Sequence, residues 1–107
     1  MVEETSGLIV RIKRFFKENA AEYAFDKIVL FGSRAEGSAR RDSDVDLMLV
    51  SKKFEGKAFH ERAVQLHLAW DLKLPVDFVC LTPGEFREKS CGATLVRHAL
   101  EHGIALS

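Results

Sequence analysis

The chain has 107 residues, 47% of them hydrophobic and 30% charged, which suits one soluble globular domain over residues 1–107. Sixteen Lys and Arg balance sixteen Asp and Glu, so net charge gives no case for duplex nucleic acid as the main partner. No apolar run reaches the ~18 residues of a membrane span and the start is not a signal peptide, which points to the cytoplasm and away from a membrane partner.

Thr5 to Ala21 has the period of an amphipathic helix, with Leu8, Ile12, Phe15, Phe16 and Ala20 on one stripe. Arg11, Lys13, Arg14 and Lys17 fall elsewhere and form its solvated face. Lys27 to Phe31 is a short apolar run and predicts a strand buried on both faces. Gly32-Ser33 ends it. Ser33 and Glu36 have the spacing of a capping box, so a helix start and an anion site are both open readings of Ser33. Val45 to Val50 predicts a second strand, entered through Asp44 and Asp46.

Ser51 to Gly56 reads as a loop, and Lys57 to Lys73 as the longest helix, with Phe59, Ala63, Leu66, Trp70 and Leu74 as its core stripe. Pro75 to Leu81 is a third strand carrying Asp77 among apolar neighbours. Thr82, Pro83 and Glu85 form a second capping box and open a short helix to about Glu88. Ser90 to Glu101 is the last helix, stopped by Gly103, and Ile104 to Leu106 is a candidate edge strand. Cys80 and Cys91 have no recognised metal spacing and read as reduced thiols, and His98 and His102 as surface histidines.

The chemistry gathers between Lys27 and Val50. Residues two apart on a strand point to one side, so Asp44 and Asp46 project together, near the Gly-Ser turn. Such a carboxylate pair calls for a cation. Mg²⁺ takes one or two carboxylates plus substrate phosphates, and a Gly-Ser turn opening a helix offers those phosphates backbone N–H groups and a hydroxyl. Gly32, Ser33 and Arg34 are thus candidate nucleotide-binding residues, and Asp44 and Asp46 candidate metal ligands. Asp77 joins them if its strand neighbours theirs; otherwise it is a strand-edge Asp facing water or a salt bridge. Two rival motifs fail on the residues. Ser38 and Ala39 occupy the Lys and Ser/Thr positions of a P-loop, and Leu47 and Lys53 the required Gly and Glu of a calcium loop opening at Asp42.

Gly32-Ser33, ten residues, then Asp44-Val45-Asp46 resembles the signature of the DNA polymerase β-like nucleotidyltransferases. The run GSRAEGSARRDSDVDL is similar to the minimal nucleotidyltransferases of prokaryotes. That resemblance implies an α/β (α+β) fold, a small mixed sheet of three or four strands with helices packed against it, where pattern alone suggests a parallel βαβ unit. It implies Asp44, Asp46 and Asp77 as catalytic acids sharing two Mg²⁺ ions, with ATP or another nucleoside triphosphate as substrate. It also implies an antitoxin whose partner in a hetero-oligomer is a HEPN-domain toxin, modified by transfer of AMP to a tyrosine. Similar members often carry Arg where this chain has Glu36, which leaves Arg34, Arg40 or Arg41 to meet the triphosphate. With few residues after Val50, the acceptor is expected to be small or on another chain. A non-catalytic module that neutralises its partner by contact, and a transferase acting on a small molecule, are the alternatives.

Overall fold

The computed structural model describes residues 5–40, 43–92 and 94–106. One sheet holds β1 (Lys27–Phe31), β2 (Val45–Val50), β3 (Val76–Leu81) and β4 (Ile104–Ala105), in the order β3-β2-β1-β4. β1 runs antiparallel to both β2 and β4, and β2 runs parallel to β3. The described helices are α1 (Thr5–Asn19), α2 (Ser33–Glu36), α3 (Val64–Ala69), α4 (Pro83–Lys89) and α5 (Leu95–His102). A mixed α/β architecture is therefore present, as the resemblance implies. The parallel pattern holds only for β2 and β3. Among the described residues between β1 and β2 the helical structure is the single turn of α2, too little helix to carry the chain across a sheet face into a parallel partner.

Both faces of the sheet are covered. On one face Leu30, Leu47, Leu49 and Phe78 bury against the α1 stripe of Leu8, Ile12, Phe15, Phe16 and Ala20. The helical period of α1 thus predicts its buried side correctly. On the other face Val29, Phe31, Met48, Val50 and Leu81 bury against Val96 and Ala99 of α5, with Phe86 of α4 packed beside them. The same alternation places Asp46 and Asp77 on this second face.

Two helices are shorter than the sequence pattern suggests. The expected helix from Lys57 to Lys73 breaks into a 3-10 turn at Phe59–Glu61 and α3. Arg62 explains the break. It is 7% exposed, and its guanidinium donates to Lys57 O, Cys80 O and both carboxylate oxygens of Glu85. Lys57 O would accept from the backbone in a continuous helix; here it accepts from Arg62 Nε at 3.2 Å. The stripe breaks with the helix: Leu66 is buried, but Phe59 is 59% exposed. The last helix starts at Leu95 rather than Ser90, because Thr94 caps it by accepting from Arg97 N. The second capping box forms as expected: Thr82 Oγ1 accepts from Glu85 N and Glu85 Oε1 from Thr82 N. Ile104–Ala105 is indeed an edge strand. No described helix is long and apolar enough to cross a membrane.

Glu85 therefore caps α4 and pairs with Arg62 at once. The Arg62 guanidinium and the Thr82 backbone N–H draw its carboxyl down from the ordinary 4.5 to about 2. A depressed acid stabilises the fold above its unfolded value and loses that contribution as pH falls through the folded one. Urea unfolding should show Glu85→Gln less stable than wild type at pH 7, with the gap closing between 4.5 and about 2. Arg62→Ala, which strands two backbone carbonyls, should cost about 2–4 kcal/mol in the same measurement.

Candidate active site

The site forms at one end of the sheet, where the C-terminal end of β1 meets the N-terminal ends of β2 and β3. Asp46 pairs with Phe31 across the antiparallel ladder and with Asp77 across the parallel one. In-register residues of neighbouring strands point to the same face, and the strands lie about 4.8 Å apart. Asp44 precedes Asp46 by two residues. Asp44 and Asp77 are exposed, while Asp46 is half-buried. The Asp46 carboxyl is pushed above the ordinary carboxylate range, first by burial, then by the negative charges of Asp77 and Asp44. The three acids named from sequence thus share one electrostatic neighbourhood.

Gly32 shapes the floor beside them. Its φ of 76° and ψ of −159° belong to a backbone region that only glycine adopts without strain. A Cβ built there would overlap Asp46 Oδ2. The Asp46 carboxylate therefore lies directly against the backbone of the turn. The capping box expected of Ser33 and Glu36 does not form. Gly32 is the N-cap of α2, no side chain caps the helix, and Ser33 is the first helical residue. Ser33 does not spend its hydroxyl on the helix start.

Arg34, expected beside the phosphates, turns inward. It is 3% exposed, and its Nε and Nη2 donate to Ser43 O at 3.1 and 2.9 Å. Ser43 Oγ in turn accepts from Arg40 N at 2.7 Å. Glu36 has its Oε2 3.7 Å from His98 Nε2 on α5. Arg41 and Asp42 lie outside the described residues. Sequence reasoning missed Ser43 and the Glu36–His98 contact. Ser43 carries a turn signal by residue type alone, and nothing local announces a contact between residues so far apart in the chain.

The donor chemistry suits a hard divalent ion: three carboxylates, partly solvated, one of them raised by its neighbours' charge. Among the described residues, no group of three His, Cys, Asp or Glu side chains already stands in an arrangement that could hold a metal ion. Two of the acids, Asp44 and Asp77, are exposed.

A family model, the nucleotidyltransferase domain, matches residues 9–106. The chain belongs to that family. The domain also resembles two solved structures. One, a toxin–antitoxin crystallised with AMP-PNP, is 26% identical with a TM-score of 0.61, covering 92% of this chain and 72% of that one. The other is a Sulfolobus solfataricus protein provisionally named a nucleotidyltransferase. It is 24% identical with a TM-score of 0.54, covering 82% of each chain, and shows the shared fold. A search of curated proteins finds no match.

The geometry sets two expectations. Gly32→Ala meets both a forbidden backbone region and the Asp46 carboxylate. Gly37 also has positive φ, at 78°, but open space around it. Denaturant melts should show Gly32→Ala costing about 2–4 kcal/mol and Gly37→Ala about 1 kcal/mol. Because Asp77 raises the Asp46 carboxyl, Asp77→Asn should move Asp46 back toward the ordinary range in a carboxyl-carbon NMR titration. A raised acid destabilises the fold above its folded value, and the effect fades as pH falls through it. The metal-free Asp77→Asn variant should therefore be more stable than wild type at pH 7.

Proposed function

We propose that this nucleotidyltransferase domain moves a nucleoside monophosphate, AMP from ATP, onto a hydroxyl of a partner protein in a Mg²⁺-dependent reaction. The observation that carries the reading is the in-register pairing of Asp46 with Asp77, with the Asp46 carboxylate against Gly32. Asp44, Asp46 and Asp77 would hold two Mg²⁺ ions, which when bound neutralise the triphosphate and stabilise the incoming and departing oxygens. Gly32 lets the turn approach the triphosphate closely, and the Ser33 hydroxyl donates to a phosphate oxygen. Asp77 takes the proton of the acceptor hydroxyl as its oxygen bonds to the α-phosphorus. The bond from that phosphorus to the bridging oxygen breaks, and pyrophosphate leaves. Positioning and charge stabilisation supply the rate.

The similarity to a toxin–antitoxin crystallised with AMP-PNP supports a partner protein and an adenine nucleotide. We place the domain as the antitoxin of a pair, in the cytoplasm, with a HEPN-domain toxin as acceptor in a hetero-oligomer.

Incubation with labelled ATP, Mg²⁺ and the product of the neighbouring gene tests the reading. Label should pass to the partner, and Asp44→Asn or Asp46→Asn should each reduce transfer by about 10³-fold while circular dichroism stays unchanged. Undiminished transfer by both variants would refute the assignment. A stable complex that never acquires label would favour neutralisation by contact alone.

A further inference from the structure

We infer that Arg34 is a positioning residue for the acids, set to hold Asp44 and Asp46 against the Gly32–Ser33 turn, and not a ligand of the triphosphate. The inference rests on the reading of the site given above. A guanidinium 3% exposed cannot face a solvated phosphate without leaving its pocket. Burying that charge is costly unless its donors are satisfied, and two of them converge on the single carbonyl of Ser43.

The place of that carbonyl gives the contact its consequence. Ser43 is the residue before Asp44. Its backbone is fixed further by its N–H to Arg40 O at 3.1 Å and by its Oγ, which accepts from Arg40 N. Two residues on, Val45 N donates to Pro75 O at 2.8 Å, and Pro75 stands two residues before Asp77. One run of hydrogen bonds thus passes from α2 through Arg34 to Ser43, across Asp44 to Val45, and on to the start of β3. It links the three segments that carry the Gly-Ser turn, the first two acids and the third. The fork of Arg34 is the step in that run made by a side chain reaching from another element, so a substitution can remove it without touching the backbone. Side chains that orient metal ligands in this indirect way set metal affinity and rate more than substrate affinity.

Mn²⁺ binding to the nucleotide-free protein, followed by electron paramagnetic resonance, tests this alongside steady-state transfer. Arg34→Gln should weaken Mn²⁺ binding by about tenfold or more and lower kcat by about 10–100-fold, with KM for ATP changed by less than about twofold. Arg34→Lys, which offers the carbonyl one donor and not a fork, should recover part of both losses. Ser43→Ala keeps the buried arginine and removes the Oγ acceptor, and should weaken Mn²⁺ binding by about 2–5-fold. If Arg34→Gln loses its circular dichroism signal, the Ser43→Ala result decides. A rise in KM for ATP with Mn²⁺ binding unchanged would make Arg34 a phosphate ligand and overturn the inference. So would wild-type Mn²⁺ affinity in both Arg34→Lys and Ser43→Ala. Wild-type protein that binds no Mn²⁺ and transfers no label would overturn the proposed function itself, an outcome distinct from either of these.

Discussion

Three carboxylates held at one end of a sheet repel one another, and the rest of the site depends on the backbone ladder that prevents them from separating. Asp46 and Asp77 are opposite each other in the parallel register of β2 and β3. At ~5 Å, in surroundings between water and a protein surface, each like-charge pair costs about 1–3 kcal/mol. The opposing term is larger. Val45, Leu47, Met48, Leu49 and Val50 are each at most 2% exposed, and burying one such side chain contributes about 1.5–3 kcal/mol. Register and burial are one constraint here. A slip of one residue would send Asp77 to the α1 face and Phe78 out of its aromatic contacts with Phe15 and Trp70.

Strand direction then determines what meets what. β1 enters the site by its C-terminal end, and β2 and β3 by their N-terminal ends, because the first pairing is antiparallel and the second parallel. A turn that follows a strand is brought beside acids that begin two others. Had β1 and β2 been parallel, Gly32 would lie at the opposite end of the sheet from Asp46. The described part of the connection holds one helical turn, α2, and no crossover helix, so the chain returns antiparallel and delivers the turn to the carboxylates. Gly32 completes the fit, since any Cβ there would occupy the space that Asp46 Oδ2 takes.

Much of this was legible in the residues. Lys27–Phe31 and Val45–Val50 are strands with the bounds that their apolar runs suggest, and the α1 stripe is buried where its period puts it. Those signals are local, and burial on both faces or along one stripe leaves them little competition. The placement of Asp77 beside Asp46 was legible only on the condition that their strands are neighbours. Where the sequence misled, a distant partner won over a local pattern. Lys57 to Lys73 has helical spacing throughout, but Arg62 reaches Cys80 O and Glu85, and the chain turns to let it do so. Ser33 and Glu36 have cap spacing, but Gly32 takes the cap position and Glu36 lies near His98 instead. Residue type showed Arg34 to be a cation; only the fold shows that it faces Ser43.

The two buried arginines make the same physical choice at opposite connections of the central strand. Arg34 braces the chain entering β2, through Ser43 O. Arg62 braces the chain leaving it, through Lys57 O and Cys80 O. Lysine would do either task only in part, because each uses several donors in a fixed plane on a stem held by packing. The ends they brace differ in how their carboxyls are held. Beside Arg62 the Glu85 carboxyl is drawn down to about 2 by the guanidinium and the Thr82 backbone. At the Arg34 end the Asp46 carboxyl is pushed up by burial and by the charges of Asp77 and Asp44. One end of β2 thus favours the charged form of its carboxylate and the other resists it.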